Sequence, residues 1–80
     1  MITYIATFYS HYGAIQFRRN CQAMNLSAEV MPVPRDLSSS CGTCVKFTGT
    51  AEKARNWNSD ELEQLAQVLE NGTFQVIWHS

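Results

Sequence analysis

Apolar and polar positions alternate in three stretches of this 80-residue chain and recur at steps of three and four in two others. Residues 2–9 are dense in β-branched and aromatic side chains. Ile2, Tyr4, Ala6 and Phe8 fall on one side and Thr3, Ile5, Thr7 and Tyr9 on the other, which predicts a strand. Ser10 stands where an N-cap would. Ala14, Phe17, Cys21 and Met24 then share one face of a helix expected from about His11 to Asn25, with Arg18 and Arg19 turned largely to water. Asn25-Leu26-Ser27 is a plausible stop, and residues 28–33 read as a short strand that Pro32 confines to a sheet edge. Pro34 to Gly42 has no periodicity and reads as a loop. Residues 43–48 alternate again, with Val45 and Phe47 opposite Cys44, Lys46 and Thr48.

Gly49 to Trp57 fits either a long connection or an irregular helical turn. Beyond it, Ser59 is placed to cap a second helix whose first turn carries Asp60, Glu61 and Glu63. Leu62, Leu65, Ala66 and Leu69 follow at helical spacing, and Asn71-Gly72 ends the helix. Residues 73–78 form a fourth strand with Phe74, Val76 and Trp78 on one side. The order β-α-β-β-α-β predicts an α+β fold of ferredoxin-like topology: a four-stranded antiparallel sheet in spatial order 4-1-3-2, with two helices on one face.

Eighty residues make one domain, because at this length only roughly 60% of the unfolded surface is buried and a second core is out of reach. A hydrophobic share of 45% with 16% charged residues belongs to a globular chain. The net charge is −1 and the six basic residues are dispersed, so phosphate-backbone binding to nucleic acid is not expected. The N-terminus lacks a signal-peptide pattern, and no stretch approaches the roughly 20 apolar residues that span a bilayer. The expected setting is therefore the cytoplasm, with no membrane partner and no cofactor.

Three cysteines are too few, and odd in number, for a disulfide framework. Two of them form Cys41-Gly42-Thr43-Cys44, where one thiolate could pick up a group and a second could resolve the adduct. A strand follows Cys44, whereas a thioredoxin-type site needs a helix there. In the expected topology the start of the third strand lies beside the end of the first, which places Cys41 near Ser10, His11 and the first helical turn. A positive helix end with His11 or Arg35 nearby would favour thiolate. Ser38, Ser39 and Ser40 offer hydroxyls, and with Gly42 a turn whose N–H groups could cradle an anion. The same spacing also serves as half of a zinc site, completed from His11, His79 or Cys21, although Cys21 falls on the apolar helix face. It can equally be without chemistry.

Thr7-Phe8-Tyr9-Ser10, Ala14, and above all Pro32-Val33-Pro34-Arg35-Asp36-Leu37-Ser38-Ser39-Ser40-Cys41-Gly42 resemble the selenium/sulfur carrier-like family, small domains of uncharacterised function. The likeness covers most of residues 2–48, and the remainder by pattern only. It implies a sulfur or selenium carrier with a persulfide or selenopersulfide on Cys41, and donor and acceptor proteins as partners. Cys44 lies outside that signature, so its resolving role rests on this chain alone. The competing functions are a binding or regulatory module and a zinc-stabilised structural domain. The first would use the sheet face opposite the helices, with Ile5, Met31 and Ile77 open to a partner or to a second copy in a homodimer.

Overall fold

A computed structural model describes residues 2–57 and 60–80. Its elements are β1 (Ile2–Phe8), α1 (His11–Ala23), β2 (Ala28–Pro32), β3 (Thr43–Gly49), α2 (Ala51–Arg55), β4 (Leu62–Val68) and β5 (Phe74–His79). The strands form one antiparallel sheet in the order β2-β3-β1-β4-β5. The class is α+β, as expected, but the sheet has five strands and a sequence of neighbours that differs from the ferredoxin-like order.

The first half follows its hydrophobic pattern. Tyr4, Ala6 and Phe8 of β1, Val45 and Phe47 of β3, and Ala14, Phe17 and Cys21 of α1 share one buried cluster, while Ile5 and Cys44 lie in a second cluster on the opposite face. Phe17 is the hub of the first cluster. Its ring centroid lies 5.4 Å from Phe8, 5.1 Å from Phe47 and 5.2 Å from Trp57, tilted or edge-on, as aromatic quadrupoles prefer. Ser10 caps α1 by accepting the Gly13 N–H at 3.2 Å. The helix ends at Ala23, two residues short of Asn25, which takes a left-handed φ of 61° just beyond it. Met24, expected on the buried face, is 58% exposed because it lies past the last turn. Arg19 is exposed as expected, whereas Arg18 is half-buried. Pro32 closes β2, an edge strand, where a missing N–H costs no ladder bond.

The second half departs from expectation. Residues 62–68, read as the body of a second helix, are a strand paired with the free edge of β1, and the short helix α2 lies in the stretch before it. The proposed cap Ser59 lies outside the described residues. Leu62 and Leu65 both join the helix-side cluster, although residues three apart on a regular strand face opposite ways. A bulge reconciles them: Thr7 pairs with Gln64 and Phe8 with Leu62, leaving Glu63 as the extra residue. A strand with one bulge thus imitates helical spacing. Ala66 falls on the other face, in the cluster with Ile5 and Cys44.

Asn71-Gly72, read as a helix C-cap, is instead the turn of the β4–β5 hairpin. Leu69 accepts the Gly72 N–H at 2.9 Å and donates to Thr73 O at 2.8 Å, with Gly72 at φ 83°. A second bulge, at Ile77, sets Trp78 opposite Leu65 and Val76 opposite Ala66. Phe74, Val76 and Trp78 are therefore not on one side: Trp78 packs with the helix-side core and Phe74 with the opposite cluster. Both helices do lie on one face, since Ala54 and Ala51 of α2 join the cluster that α1 covers.

The opposite face is less open than expected. Met31, Val33 and Leu37 pack against Ile5, Cys44 and Ala66, so Ile5 is 1% exposed and cannot contribute to a homodimer surface. Ile77, at 40%, does remain exposed, on the edge strand. Among the described residues, no helix is long and apolar enough to cross a membrane.

Candidate functional site

The connection between β2 and β3 runs through residues 33–42 and folds back over the sheet. Val33 N–H donates to Gly42 O at 3.1 Å, extending the ladder by one step and closing the base of the loop. Leu37 anchors its middle in the cluster around Ile5 and Cys44. Gly42 has φ 75°, a conformation that costs an L side chain about 1 kcal/mol or more, and it turns the chain sharply between Cys41 and β3.

This path brings Cys41 to the end of β1. Its thiol lies 3.2 Å from Phe8 O and 3.6 Å from Thr43 O, and Ser39 Oγ donates to the same Phe8 carbonyl at 3.3 Å. Ser10 and His11 are the next residues of the same corner, and His11 Nδ1 is hydrogen-bonded to Thr43 Oγ1. From the sequence, Cys41 is expected near Ser10, His11 and the first turn of α1; its thiol meets the end of β1 at Phe8, and His11 bonds Thr43 two residues along the chain. The helix start has a partner of its own, because Ser10 donates to the Glu61 carboxylate while accepting from Gly13. A carboxylate so placed answers part of the positive helix end.

The serines divide their work. Ser38 offers its carbonyl to Gln64 Nε2 at 2.7 Å, Ser39 reaches Phe8 O, and Ser40 binds Glu63. Ser40 N–H lies 3.2 Å from both Glu63 carboxylate oxygens and Ser40 Oγ donates to one of them at 2.6 Å. Thr7 Oγ1 donates from the sheet side at 3.2 Å. Partial burial works to raise the Glu63 carboxyl, but the bonds from Ser40, Ser39 and Thr7 outweigh it and hold the carboxyl below its ordinary value. Arg35 is exposed in the turn where Leu37 N–H donates to Pro34 O at 3.0 Å. Among the described residues it makes no hydrogen bond to the cysteine loop.

The other two cysteines differ in kind from Cys41, which is half-exposed. Cys44 is fully buried beneath the loop. Burial, with Cys41 as a second and like-signed cause, pushes its thiol up to about 11. Cys21 is buried in the helix-side core, as its position on the apolar face implied, and burial raises its thiol while Lys53 partly offsets this. Among the described residues, no three of His, Cys, Asp and Glu gather as a metal site would require, and His11, His79 and Cys21 do not join the cysteine pair.

Sequence reasoning missed Glu63 and Glu61, both assigned to the first turn of a helix that is a strand. The signal that could have found them was Asn71-Gly72 followed by an alternating run, which marks a hairpin and so requires a strand before it.

Fold and site together define a small α+β domain that presents one accessible thiol on a tethered loop at the end of its central strand. The chain belongs to the family described as "Putative Se/S carrier protein-like", whose model matches residues 3–76. It is also similar to the uncharacterized protein YtiA of Escherichia coli (strain K12), with 29% identity over 79 residues, covering 99% of this chain and 93% of that protein. No solved structure matches the chain at a significant level.

Proposed function

We propose that the protein is a sulfur or selenium carrier that holds the transferred atom on Cys41. The observation that carries this reading is the contrast among the three thiols: Cys41 is half-exposed on a loop tied to the sheet, while Cys21 and Cys44 are buried. Membership of the carrier-like family supports the same choice. A carrier needs a thiol that a donor and an acceptor protein can reach in turn, and a fixed position for it spares each encounter the cost of ordering the loop.

In the loading step the Cys41 thiol gives its proton to water and the thiolate attacks the outer sulfur of a donor persulfide. One S–S bond forms on Cys41, the donor's S–S bond breaks, and the donor leaves as a thiolate. Selenium would follow the same course. In delivery, an acceptor nucleophile attacks the outer atom and the Cys41 thiolate departs. Cys44 can resolve an adduct that is not delivered, forming the Cys41–Cys44 disulfide and expelling hydrosulfide. Its burial and raised pKa limit this to moments when the loop lifts. Ser38, Ser39, Ser40 and Gly42 set the loop's path; Ser10 and His11 begin the helix that follows the end of β1 on which the Cys41 thiol rests. Arg35, exposed at the loop's outer turn, is available to the surface of a donor or acceptor.

Incubation with a small persulfide donor, followed by intact mass spectrometry without reductant, tests this reading. Wild type should gain about 32 Da per sulfur or lose about 2 Da as a disulfide, and Cys44→Ser should accumulate the adduct. Sulfur uptake by Cys41→Ser equal to that of wild type refutes the role of Cys41. The function would then pass to a binding module built on the remaining exposed apolar surface of the β5 edge, Val76 and Ile77.

A further inference from the structure

We infer that Glu63 is the positioning residue for Cys41: from a bulge in β4 it latches the serine turn to the centre of the sheet and so fixes the thiol against the end of β1. Three independent observations converge on it. Glu63 is the one residue of β4 between Gln64 and Leu62 that has no partner on β1, and such a bulge re-aims a side chain that regular pairing would send elsewhere. Its carboxylate then bridges two elements far apart in sequence, receiving Ser40 N–H and Oγ from the loop and Thr7 Oγ1 from β1. Finally, Ser40 is the residue before Cys41, and its neighbour Ser39 shares the Phe8 carbonyl with the Cys41 thiol. Movement of Ser40 therefore moves Cys41.

The bonds are charge-assisted, the stronger kind, and one of them uses a backbone N–H. The backbone bond matters most, because it restrains the chain itself and not only a rotatable hydroxyl. Leu37 secures the middle of the loop by apolar contact, which is non-directional; Glu63 supplies a directional restraint on the residue that precedes the thiol. The latch serves the carrier function proposed above, and it is tested without it.

The experiment compares wild type with Glu63→Ala, Glu63→Gln and Ser40→Ala. In each, amide exchange at Ser40 and alkylation of Cys41, Cys44 and Cys21 by iodoacetamide are followed by mass spectrometry of the intact and digested chain. Loss of a charge-assisted hydrogen bond should speed Ser40 exchange about ten-fold in Glu63→Ala, and Cys41 alkylation should rise by a similar factor as the thiol leaves the Phe8 carbonyl. Glu63→Gln should lie between, since its amide oxygen still accepts. Ser40→Ala, at an exposed position that leaves the fold intact, should show a smaller rise. Labelling of Cys21 should stay at the wild-type rate, because it reports global opening. If Ser40 exchange and Cys41 alkylation in Glu63→Ala match wild type, there is no latch. If all three cysteines quicken together, Glu63 only stabilises the fold, and the positioning role is equally overturned. Persulfide uptake is measured in parallel: a wild type that takes up no sulfur while Glu63→Ala releases Cys41 refutes the carrier function and leaves the latch standing.

Discussion

The order of cysteine reactivity is the most direct consequence of the structure. A thiol pushed up to about 11 from an ordinary value near 9 carries about 100-fold less thiolate at neutral pH, and thiolate is the species that alkylates. Cys44 is also without solvent exposure, so a reagent must wait for the 33–42 loop to open. Opening would relieve the same burial that raises the pKa, so the two effects do not multiply, and Cys44 should react about 100-fold more slowly than an unperturbed exposed thiol. Cys21 is slowed in the same way by burial in the helix-side core. The assay is limiting iodoacetamide at pH 7 on reduced, folded protein, with an acid quench and peptide mapping, then a repeat in denaturant. Nearly all of the first equivalent should appear on Cys41, and all three cysteines should react in the denatured chain. A Cys44 rate within about ten-fold of Cys41 in the folded protein would contradict both the burial and the raised pKa, and with them the restricted resolving role.

Three further outcomes are expected. Leu65→Ala should cost about 3 kcal/mol in denaturant unfolding, because Leu65 is fully buried in the cluster under both helices, whereas Leu69→Ala, half-buried at the hairpin, should cost about 1 kcal/mol or less. Equal costs at both sites would fit a helical stripe better than strand β4. Because the folded value of Cys44 is raised, its contribution to stability is complete below its unfolded value and is lost as pH rises towards about 11. Stability measured between pH 8.5 and 11 should accordingly fall less steeply in Cys44→Ala than in wild type, by about 2 kcal/mol across the range, and parallel curves would refute the assignment. The folded value of Glu63 is depressed, so its contribution is present above the ordinary carboxylate value of about 4.3 and is lost as pH falls through the lower folded value. Glu63→Gln should therefore flatten the acid limb of the stability curve, and an unchanged limb would show that the carboxylate adds nothing to the folded state.

The local pattern of residues 2–48 carried the fold of that half and the place of its thiol. Alternation in residues 2–8 and 43–49 set Tyr4, Phe8, Val45 and Phe47 on one face and Ile5 and Cys44 on the other. Ser10 began the helix, and the antiparallel pairing of β1 with β3 then brought Cys41 to the Phe8–Ser10 corner. These elements were legible because their periods are uninterrupted and each is closed by a residue with one strong conformational role: Ser10 as cap, Pro32 at an edge, Gly42 in a left-handed turn.

What residues 60–80 do was decided by tertiary structure. β1 is central, and the edge that β3 leaves free must be hydrogen-bonded by another strand, a demand that no local propensity in Leu62–Val68 expresses. The bulge at Glu63 then spaces Leu62 and Leu65 as a helix would, so period alone could not separate the two structures; the bulge at Ile77 likewise divides Val76 from Trp78. The partner of the cysteine loop was hidden for the same reason. Glu63 meets Ser40 across 23 positions of chain and Thr7 across 56, contacts that exist only once the sheet is assembled, whereas the thiol they position was already marked by the residues on either side of it.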